Sequence, residues 1–383
     1  MKKVLLFLFI SVSLLAQAQR PSIGAIIEQV KKKYAPDKRV AVFQVDVDSV
    51  RLVGKTNIAA AKKELLNRLR SNGYDLFDAV RVLPEAEIGD KIYAAVNISV
   101  ANIRKEPREA AELTTQALLG TSLKVLEKEK YWYLVQSPDG YIGWVESMTI
   151  QRFDKAEAEK YDKALKVIYT KPYGFAYADS SDNAATVSDL TWGGLLVLNQ
   201  ILGEYYEVIY PDNRKAYIPK KEAVLYDDWL KKVNPTQESL VKSAQKMTGL
   251  PYLWGGTSWK GVDCSGYTRM IYQMNGILLP RDASQQVHSG DLIDTSNEFE
   301  KLQVGDLLFF GEKATPEKPE RIVHVGMWIG ECKFIHSSGM VRVGSFDKDS
   351  PIFDAYNLGR FIKAKRILGS ENGVIHLKKA NGI

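Results

Sequence analysis

Gly261-Val262-Asp263-Cys264-Ser265-Gly266-Tyr267-Thr268-Arg269-Met270-Ile271-Tyr272-Gln273-Met274-Asn275-Gly276 sets Tyr267, Met270, Ile271 and Met274 at i, i+3, i+4 and i+7. That spacing marks one apolar face of a helix that stops at Gly276. Asp263 belongs to the residue types that cap a helix start, so Cys264 is expected in the first turn. There, unpaired backbone N–H groups and the helix dipole favour a thiolate over a thiol. A lone cysteine is ordinarily a small buried hydrophobe. One at a helix start, preceded by the glycine-rich Trp254-Gly255-Gly256, is a candidate nucleophile.

A thiolate nucleophile needs a base that can later return the proton to a leaving amine. Of the four histidines, two stand in a distinctive place. His324-Val325-Gly326-Met327-Trp328-Ile329 reads as one strand, Lys333-Phe334-Ile335-His336 as the next, and Gly330-Glu331 as their turn. With the turn centred on Gly330, both histidines lie six residues away and face each other across the ladder. One imidazole would then orient the other. Taken singly, each histidine could be a core residue or a metal ligand, the core being the ordinary reading; the cross-strand pairing together with a helix-start cysteine reverses that preference. A zinc site fits poorly, because Cys332 falls at the turn and no further cysteine or carboxylate has ligand spacing. No metal or cofactor is expected. His288 and His376 read as surface residues.

Outward from this region, 383 residues suggest several domains, and 45% hydrophobic with 26% charged residues is a composition that can bury a core. Lys2 and Lys3, the apolar run Val4 to Leu15 and the small-residue site Ala16-Gln17-Ala18 read as a cleaved export signal over residues 1–18. The run is shorter than the roughly 20 residues that span a bilayer. The expected product is therefore periplasmic or extracellular and free of the membrane after cleavage. The formal charge of +6 falls by two once Lys2 and Lys3 leave, and no basic block suggests nucleic acid. Residues 19–90 read as a small strand-helix-strand lead-in without assigned role, with alternation at Val40, Val42, Val45 and Val47 and a helical pattern from Ile58 to Leu69.

Two stretches, 91–155 and 165–232, repeat each other. Leu118-Leu119-Gly120 matches Trp192-Gly193-Gly194, Tyr131-Trp132-Tyr133-Leu134-Val135 matches Tyr205-Tyr206-Glu207-Val208-Ile209, and Gly143-Trp144-Val145 matches Ala216-Tyr217-Ile218, all offset by 73 to 75 residues. Short alternating strands separated by turns predict two tandem small barrels. They resemble bacterial SH3-like domains, whose family role is to bind or position cell-wall material. The aromatic stripes also suit plain barrel core, so binding does not follow from them. A helix from Gln237 to Met247 then opens the last region, 235–369, and residues 370–383 read as a polar tail.

In that last region Pro251-Tyr252-Leu253-Trp254-Gly255-Gly256, Asp263-Cys264-Ser265-Gly266, Leu279-Pro280-Arg281, Val304-Gly305-Asp306-Leu307-Leu308-Phe309-Phe310, His324-Val325-Gly326 and Ile335-His336-Ser337 resemble, in order, the motifs of NlpC-type papain-like cell-wall cysteine peptidases. The resemblance implies a multidomain chain, two small all-β SH3-like barrels followed by an α+β peptidase domain with the nucleophile helix on an antiparallel sheet. It implies Cys264, His324 and His336 as the catalytic triad, Tyr252 beside the oxyanion, and Asp263, Ser265 and Arg281 about the substrate. It implies hydrolysis of the γ-D-glutamyl to L-diamino acid bond in peptidoglycan stem peptides. Two SH3-like domains resemble the subgroup restricted to released peptides with a free N-terminal L-Ala, for which Glu112 and Tyr141 are the positional matches. Asp282, where many relatives carry a small hydroxyl residue, suits either a substrate ammonium or the N-cap of the segment from Ala283. Alternatives are an endopeptidase anchored on intact peptidoglycan, a non-catalytic wall-binding protein, and an amidase or acyltransferase on the same fold.

Overall fold

A computed structural model of the chain describes residues 20–181, 183–297 and 299–382. The expected export signal lies outside the described residues. Among the described residues no helix is long and apolar enough to cross a membrane. The chain divides into two compact units that meet at Val82 and Leu83.

The first unit is a three-stranded sheet covered by two helices. Strand Phe43–Asp48 pairs antiparallel with Arg51–Thr56, which pairs parallel with Phe77–Val82. Helices Ile23–Tyr34 and Ala59–Ser71 bury Ile26, Ile27, Val30, Leu65 and Leu69 against Leu52 and Val80 of the sheet. The first helix and the middle strand add to the expected strand-helix-strand. The helix was legible in Ile23, Ile26, Ile27 and Val30, whereas Gly54 and Lys55 interrupt the alternation of the strand.

In the second unit, two seven-stranded antiparallel sheets follow each other. The first runs Ile150–Phe153, Tyr93–Val96, Ser122–Glu129, Trp132–Gln136, Ile142–Glu146, Val100–Arg104, Leu113–Leu118. The second runs Ala223–Leu225, Lys166–Tyr169, Leu195–Leu202, Tyr205–Ile209, Lys215–Pro219, Tyr173–Tyr177, Thr186–Thr191. Strand for strand the two orders are the same. Both carry a bulge at one equivalent place, between Val125 and Glu127 and between Leu198 and Gln200. Aromatic content divides as physical chemistry requires. Tyr133 and Tyr210 fill the sheet cores, while Trp192 leaves its own sheet to join the core beneath the Cys264 helix, edge-on to Trp229.

The remainder is α+β. Six antiparallel strands lie in the order Asp291–Ile293, Phe361–Arg366, Leu307–Glu312, Arg321–Gly330, Lys333–Ser338, Met340–Ser345. Helices Gln237–Lys246 and Cys264–Gln273 bury Leu240, Ala244, Tyr267, Met270 and Ile271 against Val325, Met327 and Ile335. The segment expected to be a polar tail is tied to this part. Ile375 and His376 pair with Leu278 and Ile277, and Ser289 donates to the Gly373 carbonyl.

Candidate active site

The helix Cys264–Gln273 begins where the sequence places it. The Asp263 side chain accepts from the Gly266 N–H at 2.7 Å, capping the first turn, and its second oxygen accepts from the Gly255 N–H at 3.0 Å. One carboxylate thus fixes both the helix start and the Trp254-Gly255 loop beside it. Gly266 is required by closeness, since a Cβ there would lie 2.0 Å from the Gly256 carbonyl oxygen. Cys264 is buried, and the backbone N–H groups of Val325 and Ser265 are turned toward its sulfur. Val325 directly follows His324, so the thiol lies beside the backbone of the strand that carries the first imidazole.

His324 Nε2 and His336 Nδ1 are 2.8 Å apart and both rings are buried. The register differs from the expected one by two residues. The strands pair Met327 with Ile335 and Gly330 with Lys333, the turn being centred between Glu331 and Cys332 and a bulge falling at Ile329. Continued along the ladder, His336 stands opposite Gly326, and the two imidazoles meet diagonally on one face. A side chain at Gly326 would come within 3.2 Å of His336 Cβ and of the Phe334 ring. The glycine of His324-Val325-Gly326 thus leaves room for the orienting ring, a role that sequence reading missed. With Nε2 of His324 held by His336, its Nδ1 is left for the sulfur.

Burial pushes the Cys264 thiol up to about 12; the Asp263 charge adds to this, and the Val325 and Ser265 N–H groups and Arg281 oppose it. Burial thus opposes the thiolate that the helix start favours. Desolvation outweighs the few N–H dipoles, and the capping carboxylate opposes a second negative charge. Burial, then His336 and the Arg360 and Arg342 charges, hold His324 well below the usual imidazole range. His336 is lowered to about 4, first by burial and then by Arg342, with Asp354 pulling the other way. Burial thus favours the uncharged form of both the thiol and the imidazoles. Tyr252 is half-buried, and desolvation together with the Cys264 and Asp263 charges holds its hydroxyl protonated, a donor beside the sulfur.

Arg281 and Ser265 stand behind the nucleophile. Arg281 is fully buried; its guanidinium pairs with Asp263 at 2.5 Å and donates to Ser265 Oγ and Thr115 Oγ1, each at 3.0 Å. Its bonds hold the helix start and the first sheet together. Asp282 is the N-cap of the Ala283–Gln286 helix, as one of its two readings expects, and it also accepts from the Tyr141 hydroxyl at 3.3 Å. Glu112 accepts from Trp254 Nε1 at 3.0 Å and from Lys105 at 3.1 Å, and Lys105 is the first cause that keeps its carboxyl below the usual range. Glu112, Tyr141, Trp254 and Asp282 thus occupy the junction of the first sheet with the loops around Cys264. A contact that sequence reading missed is the buried ion pair of Arg269, on the nucleophile helix, with Asp139 of the first sheet. Nothing in two residues 130 positions apart signals that pairing. Cys332 is exposed at its turn, His288 is exposed, and His376 is part-buried in its strand pair.

A capped helix carrying a buried thiol, laid against an antiparallel sheet that carries two hydrogen-bonded imidazoles, defines a papain-like cysteine peptidase. The sequence comparisons agree. Residues 249–358 match the model of the NlpC/P60 family, and residues 103–150 match the bacterial dipeptidyl-peptidase SH3 domain. The chain is 32% identical over 236 residues to a gamma-D-glutamyl-L-lysine dipeptidyl-peptidase of Bacillus cereus, covering 60% of this chain and 68% of that protein. It is 26% identical to dipeptidyl-peptidase 6 of Lysinibacillus sphaericus, over 68% of this chain and 94% of that one. A crystal structure of an NlpC/P60 family protein from Bacillus cereus superposes with a TM-score of 0.62 at 26% identity, covering 72% of this chain and 99% of that chain. The chain belongs to the NlpC/P60 family.

Proposed function

We propose that this peptidase hydrolyses the γ-D-glutamyl to L-diamino acid bond of peptidoglycan stem peptides, acting on released peptides that begin with a free L-alanine. Cys264 Sγ attacks the γ-carbonyl carbon as its proton passes to His324 Nδ1. The oxyanion forms beside the Cys264 N–H and the Tyr252 hydroxyl. His324 then gives the proton to the leaving amine, and water, deprotonated by the same imidazole, hydrolyses the thioester. His336 accepts from His324 Nε2–H throughout, which keeps Nδ1 directed at the sulfur. The shared strand order supports reading both seven-stranded sheets as SH3-like barrels, and the pattern of residues 1–18 supports export.

The observation that carries the substrate reading is the junction where Trp254 holds Glu112 and Tyr141 holds Asp282. Glu112 also pairs with Lys105, and Asp282 lies 3.8 Å from buried Arg281, so the two carboxylates are already partly offset; a primary ammonium would add a further counter-charge to them, whereas an acetylated terminus would offer an uncharged group. The test compares kcat/KM for L-Ala-γ-D-Glu-diaminopimelate with its N-acetylated form, with Cys264→Ala as the inactive control and Cys332→Ser as the active one. The free peptide should win by about fivefold, the upper end for a charge pair at a part-exposed contact. Equal cleavage would favour an open-groove endopeptidase acting on intact wall.

A further inference from the structure

Beyond the histidines, on the face they share with Phe310 and Phe334, stand two cations that no carboxylate neutralises. Arg342 is the direct cross-strand partner of His336, so its side chain rises from the same face. It is exposed, and among the described residues no hydrogen bond or ion pair engages its guanidinium. Arg360 is held only by neutral groups. Its Nε and Nη2 donate to Asn357 Oδ1 at 3.0 and 2.8 Å, and its guanidinium lies 4.4 Å from the Tyr356 ring centre and 5.9 Å from that of Phe310. The Phe310 ring is in turn 5.6 Å from His324.

Of the other charges nearby, Lys363 pairs with Glu320 and Arg321 with Glu312. Asp354, like Arg360, is held by neutral Asn357. Arg342 and Arg360 act on His336 against this one carboxylate, and both also act on His324, so the cations outnumber the anion beside the pair. Placing two unpaired cations beside a general base works against protonation of that base, so their presence calls for an anion in the working complex.

The imidazole that protonates the leaving amine must border the leaving group. The first sheet, which carries Glu112 and Tyr141, touches the peptidase part through residues 254–282, and none of these contacts involves Arg342 or Arg360. We propose that Arg342 and Arg360 form a carboxylate-binding subsite on the leaving-group side, which selects a diamino acid with a side-chain carboxylate, diaminopimelate, over lysine. This rests on the peptide reading above. The ammonium of a lysine side chain would meet two like charges, whereas diaminopimelate offers a carboxylate that a guanidinium can take in two parallel hydrogen bonds.

The test uses three peptides with one acyl part, L-Ala-γ-D-Glu, joined to meso-diaminopimelate, to its side-chain amide, or to L-lysine. The wild type should cleave the first with kcat/KM about tenfold or more above the other two, the scale of one added charge-assisted contact. Arg342→Gln should bring the ratio to within about threefold and Arg342→Lys should keep most of it, as loss and retention of a point charge predict. The amide comparison needs no variant, so misfolding cannot mask the answer. Wild-type rates within twofold for free and amidated diaminopimelate, or a faster lysine peptide, would overturn the subsite and leave the parent activity standing. Failure to cleave any of the three would overturn the parent reading and this inference with it.

Discussion

Removing Arg281 should unfold the site before it alters substrate binding. The guanidinium is 1% exposed and is the counter-ion of Asp263, whose side chain is 10% exposed and also caps the nucleophile helix and holds the Gly255 N–H. Arg281→Met removes one charge and strands the other. Breaking a buried pair in this way costs roughly 3–5 kcal/mol, because the remaining ion has lost its counter-charge but not its burial. At about 2–4 °C per kcal/mol for a unit of this size, the melting temperature should fall by about 6–20 °C. Asp263→Asn should cost a comparable amount by stranding Arg281, although the amide oxygen still caps the Gly266 N–H.

The double variant separates this account from others. With neither charge present nothing is stranded, so Arg281→Met with Asp263→Asn should be more stable than the sum of the single losses by at least about 2 kcal/mol. Thermal melts of the four proteins give the cycle directly. If Arg281→Met melts within about 2 °C of wild type, or if the losses simply add, the pair is not the anchor described. A rise in KM at unchanged melting temperature would return Arg281 to the substrate, as the family motif alone suggests.

His336→Ala should lower kcat by about 100- to 10,000-fold, the range for losing the group that orients a catalytic imidazole, while His336→Asn recovers part of it by offering an oxygen to His324 Nε2–H. Identical rates in the two variants would remove the orienting role. Both imidazoles titrate below their unfolded value of about 6.5, so the unfolded chain binds more protons between that value and about 4, and stability falls as pH drops through this window and is complete above it. From pH 6.5 to 5 the loss should reach up to about 2 kcal/mol per imidazole, read from urea midpoints, with His336→Asn flattening the dependence; an unchanged midpoint at pH 5 would contradict the burial argument.

What the sequence disclosed depended on whether the deciding contacts were local. Cys264 at a helix start follows from Asp263 and the apolar positions 267, 270, 271 and 274, all within one segment. The repeat was legible because turn residues and strand alternation recur at one offset, and the two sheets share a strand order to the last strand. The histidine register was misread by two residues because the turn is made by Glu331 and Cys332, two non-glycine residues at φ 52° and 54°, while the adjacent Gly330 looked like its centre. The bulge at Ile329 has no sequence signature. The influences on the thiol were legible only in part, for a different reason. Helix-start N–H groups can be read from Asp263-Cys264-Ser265-Gly266, but burial, the larger influence, belongs to the packed fold.

Contacts between the first sheet and the peptidase part bear on what that sheet is for. A wall anchor needs only a linker to its enzyme. Here Thr115 accepts from the guanidinium that neutralises the capping carboxylate, and Gln116 exchanges hydrogen bonds with Thr257 and Ser258 at 2.9–3.3 Å. Asp139 supplies the buried counter-charge to Arg269 on the nucleophile helix itself. A Cβ on Gly255 would lie 2.4 Å from the Leu113 carbonyl oxygen, so the loop beside Cys264 is packed backbone against backbone on this sheet. Without the sheet, Arg269 within the catalytic helix would lose its counter-charge and the loop beside the helix start its support. The sheet is therefore built into the catalytic part, and the same contacts that join the two keep the nucleophile helix in place.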